Sequence, residues 1–413
     1  MANWHKDYKP EKLVQLIDEA AIIAQDGSVS YSGFSIDEYR ILLGGMLELN
    51  KQVRDTEKKR ILIKACFNAS DGKITKDNLL KYINKLESEF LSKPIIEFRL
   101  LTGISLSRDI KVPLHRINGA NISINPKLSK RMKNQRAQSL EMARRSLIGS
   151  FPRMYADVSV TVKARTTHEA AQSALDSLDF LRGMWNFSEN RRQLTRNSFS
   201  GKQEPVNSIL LAPIHTLHLR DGSPASESWW YEPNYLEPTK LFTRQAEFNE
   251  ILQFTQSFRK YLSRSHYQSE LIAITLRYAR ALDTRDLNDA FLKLWGILET
   301  LTGTGLGNTT YKEAIRRAAL IVQHRDYDYS LQVLTYLKDF RNKFVHAGSE
   351  SDEIESLLFL LKRYVEILLE FHLGNGFRFK SIVDACNFMD MPNDKKVLNE
   401  RMRVLNFAKK FLG

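Results

Sequence analysis

Cysteine is nearly absent from this 413-residue chain: Cys66 and Cys386 are the only two, and they lie far apart. That excludes a disulfide framework and an all-cysteine zinc site, and it leads us to expect a reducing, cytoplasmic compartment. Long uninterrupted apolar runs are missing too. The most apolar stretch, 354–373, is broken by Glu355, Lys362, Arg363, Glu366 and Glu370, too many charges for a membrane core, so no membrane partner is expected. Residues 1–10 carry charges where a signal peptide would need an apolar segment. No repeat of solenoid period and no low-complexity tract is present, and a 43% hydrophobic composition is too apolar for a disordered chain.

Acidic residues are in deficit. The 61 Lys and Arg exceed the 48 Asp and Glu, leaving a formal charge of +13, which points to an anionic partner rather than to any fold. The excess is localised. Residues 99–165 hold fourteen basic side chains against Asp109, Glu141 and Asp157, whereas residues 281–380 hold thirteen basic and fourteen acidic ones.

Hydrophobic periodicity divides the chain into three regions: a helical region 1–100, a basic α+β region 101–240 and a helical region 241–413. The expected fold class is α+β, predominantly helical, with an N-terminal mixed region followed by a C-terminal helical bundle. In the first region helices are expected over 11–25, 36–54, 58–67 and 76–91. Residues 68–77 between the last two hint at a calcium loop. With Gly72 as the turn glycine, however, Phe67 falls where the first acidic ligand belongs and Asn78 where a bidentate Glu is required.

In the second region, 155–163 reads as a strand with Val158, Val160 and Val162 on one face, followed by a helix capped at Thr167. Residues 208–219 and Trp229-Trp230-Tyr231 suggest further strand. The third region carries five helical segments, 270–281, 286–301, 311–323, 329–346 and 352–373. Start signals stand at 283–286 and stop signals at Gly303, Gly348 and Gly374. Antiparallel packing of such segments makes a bundle.

Within that bundle stands Asp339-Phe-Arg341-Asn342-Lys343-Phe-Val-His346-Ala-Gly348, preceded by Ala290-Phe-Leu-Lys-Leu-Trp-Gly-Ile-Leu-Glu299-Thr-Leu-Thr-Gly303 on an earlier helix. These residues resemble the Arg-x4-His motif and helix order of the HEPN superfamily, and are most similar to its Apea-like branch, over about 270–374. Spacing alone is weak, because Arg108/His115, Arg259/His266 and Arg317/His324 offer comparable pairs. Arg341/His346 is singled out by its place near a helix C-terminus and by the helices around it. At 100° per residue, Val333, Leu337, Phe340 and Phe344 form the expected buried stripe, with Arg341 at its edge and Asp339, Asn342 and His346 on a polar face.

The resemblance implies a metal-independent endoribonuclease that requires no cofactor. His346 moves a proton at the ribose 2′-OH or leaving oxygen, and Arg341 stabilises charge on the phosphorane. Asn342 is expected to orient the imidazole or bind phosphate, Lys343 to add a phosphate contact, and Glu299 to hold Arg341. The family further implies a homodimer with a composite cleft and a toxin-like role in anti-phage defence, released by a phage-derived trigger. The apolar 352–373 helix offers the surface for that dimer. Two alternatives are a non-catalytic HEPN protein that binds RNA or scaffolds a complex, and a DNA-binding regulator.

The basic tract supplies the expected RNA-binding residues Lys127, Lys130, Arg131, Lys133, Arg136, Arg144 and Arg145, on a helix starting near Asn125-Pro126. Such contacts position RNA without reading its sequence. His215 and His218, if on a strand, point to opposite faces, which argues against a metal site. Gly303–Gly307 follows a helix and lacks a phosphate-loop lysine, so it reads as a connector. The Trp229–Tyr231 aromatics read as packing residues rather than as base-stacking platforms.

Overall fold

The computed structural model describes residues 1–24, 29–31, 35–67, 73–145, 152, 154–195, 204–232, 235, 241–304, 310–322, 326–347, 353–392 and 394–412, the side chains of Ser35, His346 and Ala347 excepted. The fold is α+β and predominantly helical.

The N-terminal part contains β1 (Asn3–Trp4), α1 (Glu11–Ala20), β2 (Ala21–Ile23), β3 (Val29–Tyr31), α2 (Ser35–Met46), β4 (Leu47–Glu48), α3 (Asp55–Cys66) and α4 (Lys76–Ser92). Two small antiparallel pairs, β1 with β4 and β2 with β3, replace the ends of the first two expected helices. Ala21-Ile22-Ile23 leaves the helix because β-branched residues lose less χ1 freedom in extended backbone, and a partner strand is at hand. This part has its own core, including Leu13, Ile17, Leu43, Leu62 and Ile83. Of the loop at 68–77, residues 68–72 lie outside the described residues, and α4 begins at Lys76.

A six-stranded antiparallel sheet follows. It comprises β5 (Ile96–Ile104), β6 (His115–Ile117), β7 (Ala120–Ile124), β8 (Ala156–Ala164), β9 (Ile214–Leu219) and β10 (Trp230–Tyr231), in spatial order β10-β9-β5-β8-β7-β6. Val158, Val160 and Val162 of β8 are buried as expected. The longest pairing is β5 with β8, from Ile96 opposite Ala164 to Ile104 opposite Ala156. β5 was not foreseen. Leu100 to Ile104 are all buried, so the strand lacks the alternation that marks a half-exposed one.

The remaining helices are α5 (Lys130–Arg145), α6 (Thr167–Asn190), α7 (Gln245–Leu262), α8 (Gln268–Leu282), α9 (Leu287–Leu301), α10 (Tyr311–Ile321), α11 (Tyr327–Ala347), α12 (Ile354–Gly374), α13 (Ile382–Met389) and α14 (Lys395–Leu412). α6 covers the sheet on one side and meets α7 and α8 on the other, which buries every residue from Ser177 to Asn190. Thr166, one residue before the expected cap, accepts from the Glu169 amide at 3.2 Å. Asp286 caps α9 through the Asn288 amide at 2.8 Å. α12 stops at Asn375, whose φ of +36° makes it the left-handed residue in place of Gly374.

One continuous core runs from the sheet to α13, and the expected division at 240/241 falls inside it. α12 lies at its centre. Leu357, Leu358, Leu361, Val365, Leu368 and Leu369 are all buried, against α9 above all. The apolar surface expected to form a dimer is therefore covered within the chain, because α9, α10, α7 and α8 enclose α12 on most sides. By contrast, no residue of α14 is buried. Among the described residues, no helix is long and apolar enough to cross a membrane.

His372, on the last turn of α12, donates from Nε2 to the Leu301 carbonyl at 2.8 Å, and its Nδ1 meets the Tyr267 hydroxyl at 3.1 Å. Burial pushes this imidazole down to about 4, despite the bond to Leu301. The fold holds it neutral, so the unfolded chain binds the extra proton between pH 6.5 and pH 4. Stability is full above pH 6.5 and falls as pH drops through that window. At about 1.4 kcal/mol per unit, His372 alone accounts for about 3 kcal/mol. Urea unfolding followed across this range should show the loss, and a smaller one in His372→Gln; a flat profile would contradict the assignment.

Candidate functional site

α11 returns along α10, so Arg341 near the end of α11 meets Tyr311 in the first turn of α10. The guanidinium carbon lies 5.2 Å from the centroid of the Tyr311 ring, a cation–π contact. Arg341 also donates to the Asn342 side-chain oxygen at 3.2 Å. Asn342 thus steadies the arginine. Among the described residues, no carboxylate pairs with Arg341.

Glu299 does not hold Arg341. Its carboxylate accepts from the Trp295 indole at 2.7 Å, one turn back on α9. Trp295 is buried and needs a partner for its N–H, and Glu299 four residues on is placed to accept it.

The inward face of α11 also differs from the expected stripe. Leu334 and Leu337 are fully buried, whereas Val333 and Phe340 are only partly so, Phe340 resting edge-to-face on Phe291 at 5.0 Å. Arg341, four residues beyond Leu337, continues the buried side and is half-buried. Lys343 is exposed. His346 lies in the last turn of α11, at the negative end of the helix dipole; its side chain lies outside the described residues. None of Glu299, Arg341, Asn342 and Lys343 lines the two cavities described, at α3–α4 and at the end of α7.

The other Arg/His pairs contain arginines with structural duties. Arg108 donates to the Tyr155 carbonyl at 3.1 Å and Arg259 to the Arg116 carbonyl at 2.9 Å. Arg317 pairs with Asp390 at 2.7 Å and donates to the Thr302 carbonyl at 2.6 Å. His324 lies outside the described residues.

The basic tract is only partly available. α5 begins at Lys130, later than expected, because Asn125 takes a left-handed φ of +51° at the end of β7. Arg136 is buried, reaching Asp157 at 2.9 Å and the Thr102 carbonyl at 2.8 Å. It pins α5 to the sheet and is removed from the RNA-binding set, because Met132, Arg136 and Ala143 form the helix's inward face. Arg131 pairs with Asp221 at 3.1 Å, and Arg144 and Arg145 both pair with Glu141, at 3.0 and 3.3 Å. Those hydrogen bonds, Arg144's first, draw the Glu141 carboxyl down to about 2. Lys127, Lys130 and Lys133 are exposed.

Replacing Arg136 by alanine should therefore cost about 2–4 kcal/mol in urea unfolding, since Asp157 loses its partner. Replacing Lys127, Lys130 and Lys133 together should leave stability unchanged. It should lower the salt slope of RNA binding by up to about one unit per phosphate contact removed. Equal effects from the two sets would refute the division.

The remaining features are structural. His215 and His218 of β9 point to opposite faces and are both buried. His215 meets Thr102 at 2.7 Å and Glu232 at 3.0 Å, and His218 meets Thr216 at 3.0 Å. Among the described residues, no group of three His, Cys, Asp or Glu side chains could hold a metal. Gly303, with φ of +75°, ends α9 where a Cβ would come within 2.6 Å of Cys386 Sγ; residues 305–307 lie outside the described residues. Trp230 packs on His168 in edge strand β10. Comparison with known protein families, with curated proteins and with solved structures returns no match to the chain.

Proposed function

We propose that the protein is a metal-independent endoribonuclease of the HEPN type, acting through Arg341 and His346. The observation that carries this reading is the state of Arg341. Among the described residues Arg341 has no carboxylate partner, and Glu299 accepts from Trp295. Arg341 is instead held by neutral partners, Tyr311 and Asn342. They orient the guanidinium without neutralising it, which suits a group meant for phosphate.

In the proposed step, the 2′-oxygen attacks the adjacent phosphorus and the bond to the 5′-oxygen breaks, giving a 2′,3′-cyclic phosphate and a 5′-hydroxyl. A proton leaves the 2′-OH and one arrives on the 5′-oxygen. His346 moves one of these, and Arg341 faces the charge that grows on the phosphorane. A single motif supplies one histidine, so the proposal extends to a homodimer in which two motifs share a cleft. A role as a defence toxin, held silent until a phage-derived trigger arrives, is part of the same reading. Lys127, Lys130 and Lys133 would gather the RNA from outside the near-neutral bundle.

The test is incubation of purified protein with an RNA and the DNA of identical sequence, in EDTA. Cleavage of RNA alone, leaving cyclic-phosphate ends, is the expected result. Equal cutting of DNA would exclude 2′-OH chemistry. RNA binding without cleavage under activating conditions would favour the non-catalytic alternative.

A further inference from the structure

A groove of about 490 Å³ opens where the β6–β7 turn, the last turns of α7 and the first turn of α8 converge. Its polar lining includes Arg116, Asn118, Gln256, Arg259, Lys260 and Gln268, with no acidic residue among the lining side chains. The fold forces this meeting. In β6, His115 and Ile117 are buried, so the intervening Arg116 points the other way. Asn118 and Gly119, with φ of +48° and +80°, make the tight turn that places the hairpin tip beside α7. Arg259 then binds the Arg116 backbone at 2.9 Å, locking α7 to the hairpin.

Three cations in one concavity repel one another. Elsewhere the chain neutralises such charges, as Asp221 and Glu141 do along α5. Among the described residues, none of Arg116, Arg259 and Lys260 has a carboxylate within 4.0 Å. The α8 N-terminus adds amide groups that no side chain caps. A positive field is also felt beneath the groove, at His115, whose imidazole is pushed down to about 4 by burial first and by Arg259 second.

The volume lies within the roughly 300–1,000 Å³ typical of small-ligand pockets and is far larger than a phosphate ion needs. The lining also holds the apolar Ile117, Phe180, Leu262 and Ile272, with the amides of Asn118, Gln256 and Gln268. Cations, apolar side chains and amides in one lining suit a phosphate, a flat base and its polar edge.

We infer that this groove is a nucleotide-binding site, with the phosphates held by Arg116, Arg259 and Lys260 and the base against Ile117, Leu262 and Ile272. It shares no residue with the Arg341/His346 motif and does not rest on the ribonuclease reading. The phosphates come either from a free nucleotide or from the end of an RNA chain.

Fluorescence titration of the full chain with mant-ADP tests the inference. Saturable binding is expected, displaced by ADP and not by adenosine or by inorganic phosphate alone. Arg116→Ala with Lys260→Ala should weaken it at least about tenfold, the share expected from losing charge-assisted phosphate contacts. Both residues are exposed, so the melting temperature should hold. Displacement of mant-ADP by a 5′-phosphorylated RNA, with the same dependence on the two residues, would identify an RNA end as the source. Failure of that RNA to compete would identify a free nucleotide. No saturation by about 1 mM, displacement by inorganic phosphate as readily as by ADP, or an affinity untouched by the double variant would overturn the proposal.

Discussion

His346→Ala is expected to lower RNA cleavage by about 10²–10⁴-fold, the range a positioned proton-transfer group supplies, with RNA affinity and melting temperature unchanged. Arg341→Ala should lose about 10²–10³-fold, as removal of one transition-state donor does elsewhere. Arg341→Lys keeps the charge but loses the planar fork and its stacking on Tyr311, so it should recover only part of that loss. The double variant should be little worse than His346→Ala, because groups serving one transition state are not additive. Glu299→Gln should leave cleavage nearly intact, since Glu299 serves Trp295 rather than Arg341. Single-turnover rates on one RNA decide the matter. Full activity in His346→Ala would move the chemistry elsewhere in the chain.

The second large effect concerns stability. Lys362, in the middle of α12, is 1% exposed. Its Nζ donates to the Asn190 carbonyl at 2.6 Å and to both Glu366 oxygens at 3.1 and 3.2 Å. Tyr278 of α8 donates to the same carboxylate. Burial pushes the Glu366 carboxyl up and the Lys362 ammonium down, and each charge partly restores the other. Lys362→Met strands a buried carboxylate and leaves the Asn190 carbonyl at the end of α6 with only the Gln193 amide, so it should cost about 3–5 kcal/mol. Lys362→Met with Glu366→Leu should regain much of that loss, because the second change removes the stranded charge. A double-mutant cycle by urea unfolding measures the coupling. Equal losses in the single and double variants would show that packing, not the ion pair, sets the effect. Because α12 supports α9 and α10, the single variant should also weaken any activity of the α11 motif.

The two effects differ in how visible they are from the sequence. Arg341 and His346 stand out through their string and their place before Gly348. Nothing local marks Lys362 as a core residue, since a charge in an apolar helix reads equally well as a solvated one. The same ambiguity misassigned Arg136, which reads as one more cation in a basic tract and proves to be the residue that ties α5 to β5 and β8. The groove at Arg116, Arg259 and Lys260 was illegible for another reason. Its residues come from a β-turn and a helix end well over a hundred positions apart, joined only by tertiary packing.

The sequence by itself determined five of the C-terminal helices, α8 to α12, because 3.6-residue periodicity, the Asp286 cap and the stop at Gly303 are written within a few residues of their ends. It also determined the alternating strand at Val158–Val162 and the location of the charge excess. Only the tertiary structure decided which charges remain unpaired, that Arg136 is buried against β5 and β8, and that the apolar face of α12 is covered by this chain's own helices. Periodicity and capping are local interactions, fixed by neighbours three or four residues away. The fate of a charge or an apolar face depends on what the fold brings against it from far along the chain.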